Sequence, residues 1–252
     1  MKHQLAIELF TLREECKTDF PGVLRAVKEM GWPAVEMAGY HGYDPEEIAT
    51  VVKETGLQVA GMHVGFNQIV SNPDQVVREA HLFGTRDIVC PSVPPSLRTE
   101  EGYRETRIKL NEAADYAKEN GLRISYHNHA YEFETEIEGK NALEYMLDPS
   151  AGNKVLAEID VYWVKKAGYD PAKFIVPYAN RMPLIHLKDM TVDEVQDFAE
   201  IGTGSIDFKP ILKWGKTNGV DWYVVEQDRC PRSPMDCIEV SYTNLVQMIS
   251  GL

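Results

Sequence analysis

Four segments of the chain carry groups that bind metal ions or move protons: His127-Asn128-His129, Glu158-Ile159-Asp160, His186-Leu187-Lys188-Asp189 and Glu226-Gln227-Asp228. Each falls in or at the end of a short, β-rich apolar run. Strand side chains alternate between faces, so His127 pairs with His129, Glu158 with Asp160, and His186 with Lys188. Burying Glu158 and Asp160 on one inward face is costly unless they are paired, protonated or metal-bound. A single strand-end histidine reads as a hydrogen-bonded structural residue. Four successive strand ends with nitrogen and oxygen donors read as a site. A donor set without thiolate suits Mn²⁺, Co²⁺, Fe²⁺, Mg²⁺ or Zn²⁺ without choosing among them. Cys90, before Pro91, reads as a buried thiol and not as a further ligand.

The elements that must position these groups alternate along the whole chain. Apolar runs at 5–10, 34–38, 57–64, 86–93, 122–129, 155–163, 182–190 and 221–228 are separated by helical patterns, the signature of parallel βα units. Asp19, Asp44, Asn72 and Asp170 each precede a proline within two residues, the pattern of an N-cap followed by proline in the first turn. Gly31, Gly56, Gly84, Gly121 and Gly219 fall where left-handed helix ends are expected. Eight such units at a mean period of about 30 residues predict a (β/α)₈ TIM barrel, one domain over residues 1–252. A doubly wound open sheet is disfavoured, because residues 8–13 read ELFTLR where a Gly-rich turn would follow the first strand. Strand ends at the C-terminal mouth of such a barrel face its active site. The acidic residues of the 191–207 stretch, Asp193, Glu194, Asp197 and Glu200, read as a solvated helix face. The Gly202–Gly204 turn is too short for a phosphate cradle, so a phosphorylated substrate is not supported.

Composition narrows the function classes. Lys plus Arg number 26 against 39 Asp plus Glu, a net charge of −13 that opposes nucleic acid and anionic membranes as partners. Apolar runs such as LVQMI fall far short of the roughly 18 to 20 residues of a membrane span. The opening MKHQLAIELFTLREE reads as a first strand and not as a signal peptide. Cys16, Cys90, Cys230 and Cys237 show no CxxC spacing and read as thiols of a reducing compartment, which gives a cytoplasmic expectation; a homo-oligomer is compatible with all of this.

The segments AEIDVYWVKKAGYDP, HLKD, AEIGTGSIDFKPIL and VVEQD, in that order, resemble the sugar phosphate isomerase/epimerase group of xylose isomerase-like TIM barrels. The resemblance covers essentially the whole chain. It implies a divalent metal held by residues of strands five to eight, with Asp160, His186 and Glu226 on the last three positions. His127, in YHNHAYEF, stands at the first, where many relatives carry Glu, and the exchange removes one negative charge and one potential base. Such a site polarises a carbonyl, acidifies the adjacent C–H and stabilises an enediolate. Under this reading Glu226 is the expected base, and His63 and Lys188 bind or protonate substrate oxygens. His129, Glu158 and Glu36 are expected to contact substrate and Trp163 to stack on a sugar ring, with Glu8 as a lesser candidate. The expected reaction is isomerisation or epimerisation of a keto sugar. The sharpest alternative is elimination β to a ketone, as in the inosose dehydratases and 3-keto-glycoside lyases. A DNA-repair endonuclease of the same barrel is disfavoured by the acidic charge, and a sugar-binding barrel that has lost its metal is the non-enzymatic reading.

Overall fold

The computed structural model describes residues 1–150 and 152–252. Eight parallel strands, β1 (Leu5–Glu8), β2 (Ala34–Met37), β3 (Gln58–His63), β4 (Asp87–Cys90), β5 (Arg123–His127), β6 (Leu156–Asp160), β7 (Leu184–Leu187) and β8 (Trp222–Val225), close into a barrel in sequence order, with β8 pairing with β1. The predicted barrel is the observed one. Helices follow the strands and wrap the barrel, and the main apolar core lies between the two layers.

The predicted helix starts hold chemically with one exception. Asp44 accepts the Glu46 amide at 2.9 Å and Asp170 the Ala172 amide at 3.0 Å, each ahead of a proline in the first turn. Asp19 breaks the helix Arg13–Glu29 with a non-helical backbone and accepts the Gly22 amide at 2.9 Å. Asn72 occupies the expected position, but its side chain makes no capping hydrogen bond, because the helix Phe66–Ser71 runs directly into it. Gly56 and Gly84 close their helices at φ +68°.

Inside the barrel, Ala6, Ala34, Ala60, Val89, Leu184 and Val224 form a separate apolar plug. One alternation step further along, the same inward faces carry Glu8, Glu36, His186 and Glu226; one step back, they carry Asp87 and Trp222. A register shift on β2 at Val35/Glu36 brings Glu36 against Gly61 of β3. A Cβ at Gly61 would stand 2.5 Å from Glu36 Oε1, so glycine is what lets this carboxylate lie along the barrel axis.

The 191–207 stretch is not a helix. Asp189–Met190 leaves the barrel and pairs antiparallel with Phe198–Ala199, which also makes the seventh strand shorter than expected. Asp189 organises the return, its carboxylate accepting the amides of Met190, Gly202, Gly204 and Ile206 at 2.8 to 3.1 Å. The Gly202 and Gly204 amides are thereby occupied, consistent with a turn and not a phosphate cradle. Glu200 is buried and accepts from Arg232 at 2.6 Å, so it is no part of a solvated face. Cys16, Cys90 and Cys237 are buried free thiols. Among the described residues, no helix is long and apolar enough to cross a membrane.

Candidate active site

The C-terminal mouth gathers the predicted residues from six strands around one buried cluster. Asp160 ends β6 and caps the short helix Val161–Lys166: its Oδ1 accepts the amides of Tyr162 at 2.9 Å and Trp163 at 3.3 Å. That fixes the carboxylate and leaves Oδ2 fully buried, with the Lys188 ammonium 3.0 Å away. The strand is held from behind by Asn128, whose Oδ1 accepts the Asp160 amide at 2.9 Å.

The two histidines of the expected metal set are each backed by a carboxylate. His186 has Nε2 2.7 Å from Glu36 Oε2 and Nδ1 3.1 Å from Glu226 Oε2. His127 has Nδ1 3.0 Å from Glu158 Oε2 and Nε2 3.8 Å from Asp160 Oδ2. Glu36 and Glu158, expected to contact substrate, are fully buried, are not among the residues walling the cavity, and face the His186 and His127 imidazoles. A carboxylate on one ring nitrogen sets the tautomer and presents the other nitrogen to a metal.

His127, Asp160, His186 and Glu226 present ligand atoms that lie within 4.8 Å of one another, and all four residues are buried. Nitrogen and oxygen donors in this number suit a divalent first-row ion or Mg²⁺. The charge pattern points the same way: Asp160, Glu226 and Asp228 converge on the Lys188 ammonium, while Glu8, Glu36 and Glu158 face His63. These residues fit a divalent cation.

Lys188 is 1% exposed and its Nζ lies 3.0 Å from Asp160, 2.9 Å from Glu226 and 3.1 Å from Asp228. Burial opposes its charge, but Asp160 and Glu226 outweigh that and hold it protonated. Burial also raises Glu226, yet Lys188 and His186 overcome it and keep this carboxylate ionised, a poor base. Burial dominates at Asp228, pushing it up to about 7 with the Glu226 charge helping. Glu158 is likewise raised to about 7 by burial. His129 is depressed to about 4, by burial first and then by Lys188, and is neutral at physiological pH.

A cavity of about 500 Å³ opens onto the cluster, walled by Glu8, His63, His127, His129, Glu226 and Asp228 among others. His63 has Nε2 2.9 Å from Glu158 and Nδ1 3.3 Å from Glu8, so both nitrogens expected to serve substrate face carboxylates. His129 stacks on Tyr131, with ring centres 5.2 Å apart, and keeps its edge to the cavity. Trp163 packs beside His129 and 5.6 Å from the Lys188 ammonium, outside the cavity lining. Asp228 and Asn128 lie outside the set of expected site residues. Asp228 is the third inward residue of the VVEQD ending, after Val224 and Glu226; the role of Asn128 depends on a contact across strands that spacing does not show.

A model of the family described as xylose isomerase-like TIM barrel matches residues 24–236. The chain belongs to this family. Among curated proteins, an inosose dehydratase of Geobacillus kaustophilus is 24% identical over 83% of this chain and 80% of its own length. Clostridial proteins of the same name match over about half of their length. Among solved structures, a sugar phosphate isomerase/epimerase of Parabacteroides distasonis superposes with a TM-score of 0.83 at 22% identity, covering 96% of this chain and 97% of that one. The IolI protein with a bound zinc atom superposes at 0.78 and 15% identity, covering 98% of each chain. At these identities the structures show that the xylose isomerase-like fold is shared.

Proposed function

We propose that this barrel is a metal-dependent lyase that removes water from a polyhydroxylated cyclic ketone. The observation that carries the reading is the Asp228–Lys188 pair beside the four-donor set, with Asp228 on the cavity wall and poised near neutrality. The curated relatives named inosose dehydratase support the same reaction class, and the IolI protein's zinc supports a metal in this type of barrel.

His127, Asp160, His186 and Glu226 would hold the ion, which when bound supplies Lewis acidity to a substrate carbonyl and acidifies the C–H beside it. Ionised Asp228 takes that proton. The C–H pair forms the new C=C as the β-hydroxyl departs with its electrons, and Asp228 returns the proton to it, so one water leaves and the carboxylate is regenerated. Lys188 steadies Asp228 as an anion and offers N–H groups to oxygen. Neutral His129 binds a substrate hydroxyl, and Glu158 and Glu36 keep the two ligand imidazoles in their tautomers.

Inversion at carbon, as an epimerase performs it, needs acid–base groups on both faces of the substrate. Of the carboxylates lining this cavity, Glu226 is held ionised by Lys188 and His186, and Glu8 lies fully buried beneath His63; Asp228 is left. Incubation of metal-replete protein with polyhydroxylated cyclic ketones in D₂O separates the two outcomes. Loss of one water per turnover is expected; recovery of a deuterated epimer or isomer with its water retained overturns the elimination.

A further inference from the structure

Every ring nitrogen of His63, His127 and His186 faces a carboxylate oxygen. A neutral imidazole has one N–H and one bare nitrogen, so each ring leaves a nitrogen that must meet a proton or a cation. The donor set on β5 to β8 accounts for His127 Nε2 and His186 Nδ1. It does not account for His63, which stands on the opposite side of the barrel at the end of β3.

With Nε2 of His63 engaged by Glu158, its Nδ1 lies 3.3 Å from Glu8 Oε1. Glu8 Oε2 and Glu36 Oε1 are buried and accept no hydrogen bond, and Glu8 Oε1 has only the His63 Nδ1 contact, both carboxyls being fully enclosed. Parallel pairing sets Glu8 and Glu36 directly opposite each other on β1 and β2. Glu8, Glu36, His63 and His186 present ligand atoms within 4.8 Å of one another. Two enclosed carboxylates side by side with two unpartnered oxygens are strongly unfavourable as anions without a compensating cation or a shared proton. Glu8 and His63 also wall the cavity, so a cation between them keeps a face open to water or a substrate oxygen.

We propose that Glu8, Glu36 and His63 form a second divalent-cation site on the floor of the cavity, separate from the Asp160/Glu226 set and joined to it through His186. The inference shares the cation chemistry of the proposed function and does not depend on which reaction the barrel performs. Nitrogen and carboxylate donors with open positions suit Mn²⁺, which serves as the probe.

The test counts bound Mn²⁺ by mass spectrometry after chelator treatment, reloading and desalting, in the wild type, Glu8→Gln and Asp160→Asn. Two Mn²⁺ per chain are expected in the wild type and one in each variant, with near-ultraviolet circular dichroism unchanged. Glu36→Gln reports the same loss should Glu8→Gln misfold. Equal uptake by Glu8→Gln and wild type overturns the second site, leaving Glu8 protonated against His63. Loss of an ion in Glu8→Gln with none lost in Asp160→Asn keeps the second site and removes the first instead.

Discussion

The two ends of the barrel interior both bury carboxylates and resolve their charge in opposite ways. At the N-terminal end Asp87 is 2% exposed, but Arg123 grips it through Nε at 2.7 Å and Nη2 at 2.6 Å, and Asp221 joins Arg123 to Arg86 at 2.9 Å on each side. At the C-terminal end Asp160, Glu226 and Asp228 meet the Lys188 ammonium while Glu8, Glu36 and Glu158 face His63, and several of these buried oxygens have no hydrogen-bond partner. A cavity opens at both ends, about 570 Å³ below and about 500 Å³ above. Concavity therefore does not distinguish the site; uncompensated charge does. The lower network is complete and serves stability, whereas the upper cluster is complete only with a cation or shared protons.

Substitutions at the two ends should therefore separate activity from stability. Asp228→Asn carries the largest expected effect on turnover, a loss of about 10²- to 10⁴-fold, the usual range for removing a general acid–base group. In the wild type the rate should climb as pH rises through about 7 and Asp228 ionises; a pH–rate profile of the variant should lack that limb. Arg123→Met, at the other end, should cost about 3 kcal/mol in denaturant unfolding, because it strands Asp87 in a buried position, while kcat stays at the wild-type value. Loss of turnover in that variant, with the fold intact, would erase the distinction between the ends.

A third substitution sharpens the electrostatics beside the site. Glu132 accepts from Tyr126 Oη at 2.7 Å and from the His129 amide at 2.8 Å, and burial raises it to about 7. A carboxyl raised in the folded state adds stability that is fully present below its unfolded value near 4.5 and is lost as pH rises through about 7. Glu132→Gln removes this titration, so wild type should lose up to ~3 kcal/mol relative to the variant between those limits, read from unfolding at a series of pH values. A pH-independent difference would show that burial does not raise the Glu132 carboxyl in the folded state.

The barrel and the metal-type donors were legible because both are written in period-two alternation. Ala6 and Glu8, Ala34 and Glu36, and Val224 and Glu226 are inward neighbours two residues apart, so recognising a strand also assigns each side chain its face. What was not legible depends on contacts between strands. Glu36 and Glu158 look like substrate groups in one dimension, and only the packing of β2 against β3 and of β6 against β5 turns them toward imidazoles. His63 looks free until Glu8 and Glu158 are seen on its two nitrogens. The acidic stretch 191–207 resembles a helix face in composition, yet Asp189 captures its backbone amides and Arg232 captures Glu200, interactions that span 13 to 32 residues.

The central claim is that the upper cluster is built around a divalent cation. Thermal unfolding of chelator-treated protein against increasing Mn²⁺ tests it most directly, since binding to the folded state alone stabilises by about 2.7 kcal/mol at a hundredfold excess over Kd. The melting temperature should rise with Mn²⁺ in the wild type and rise less in Asp160→Asn. A wild-type melting temperature indifferent to Mn²⁺, Zn²⁺, Co²⁺, Fe²⁺ and Mg²⁺ would contradict the account.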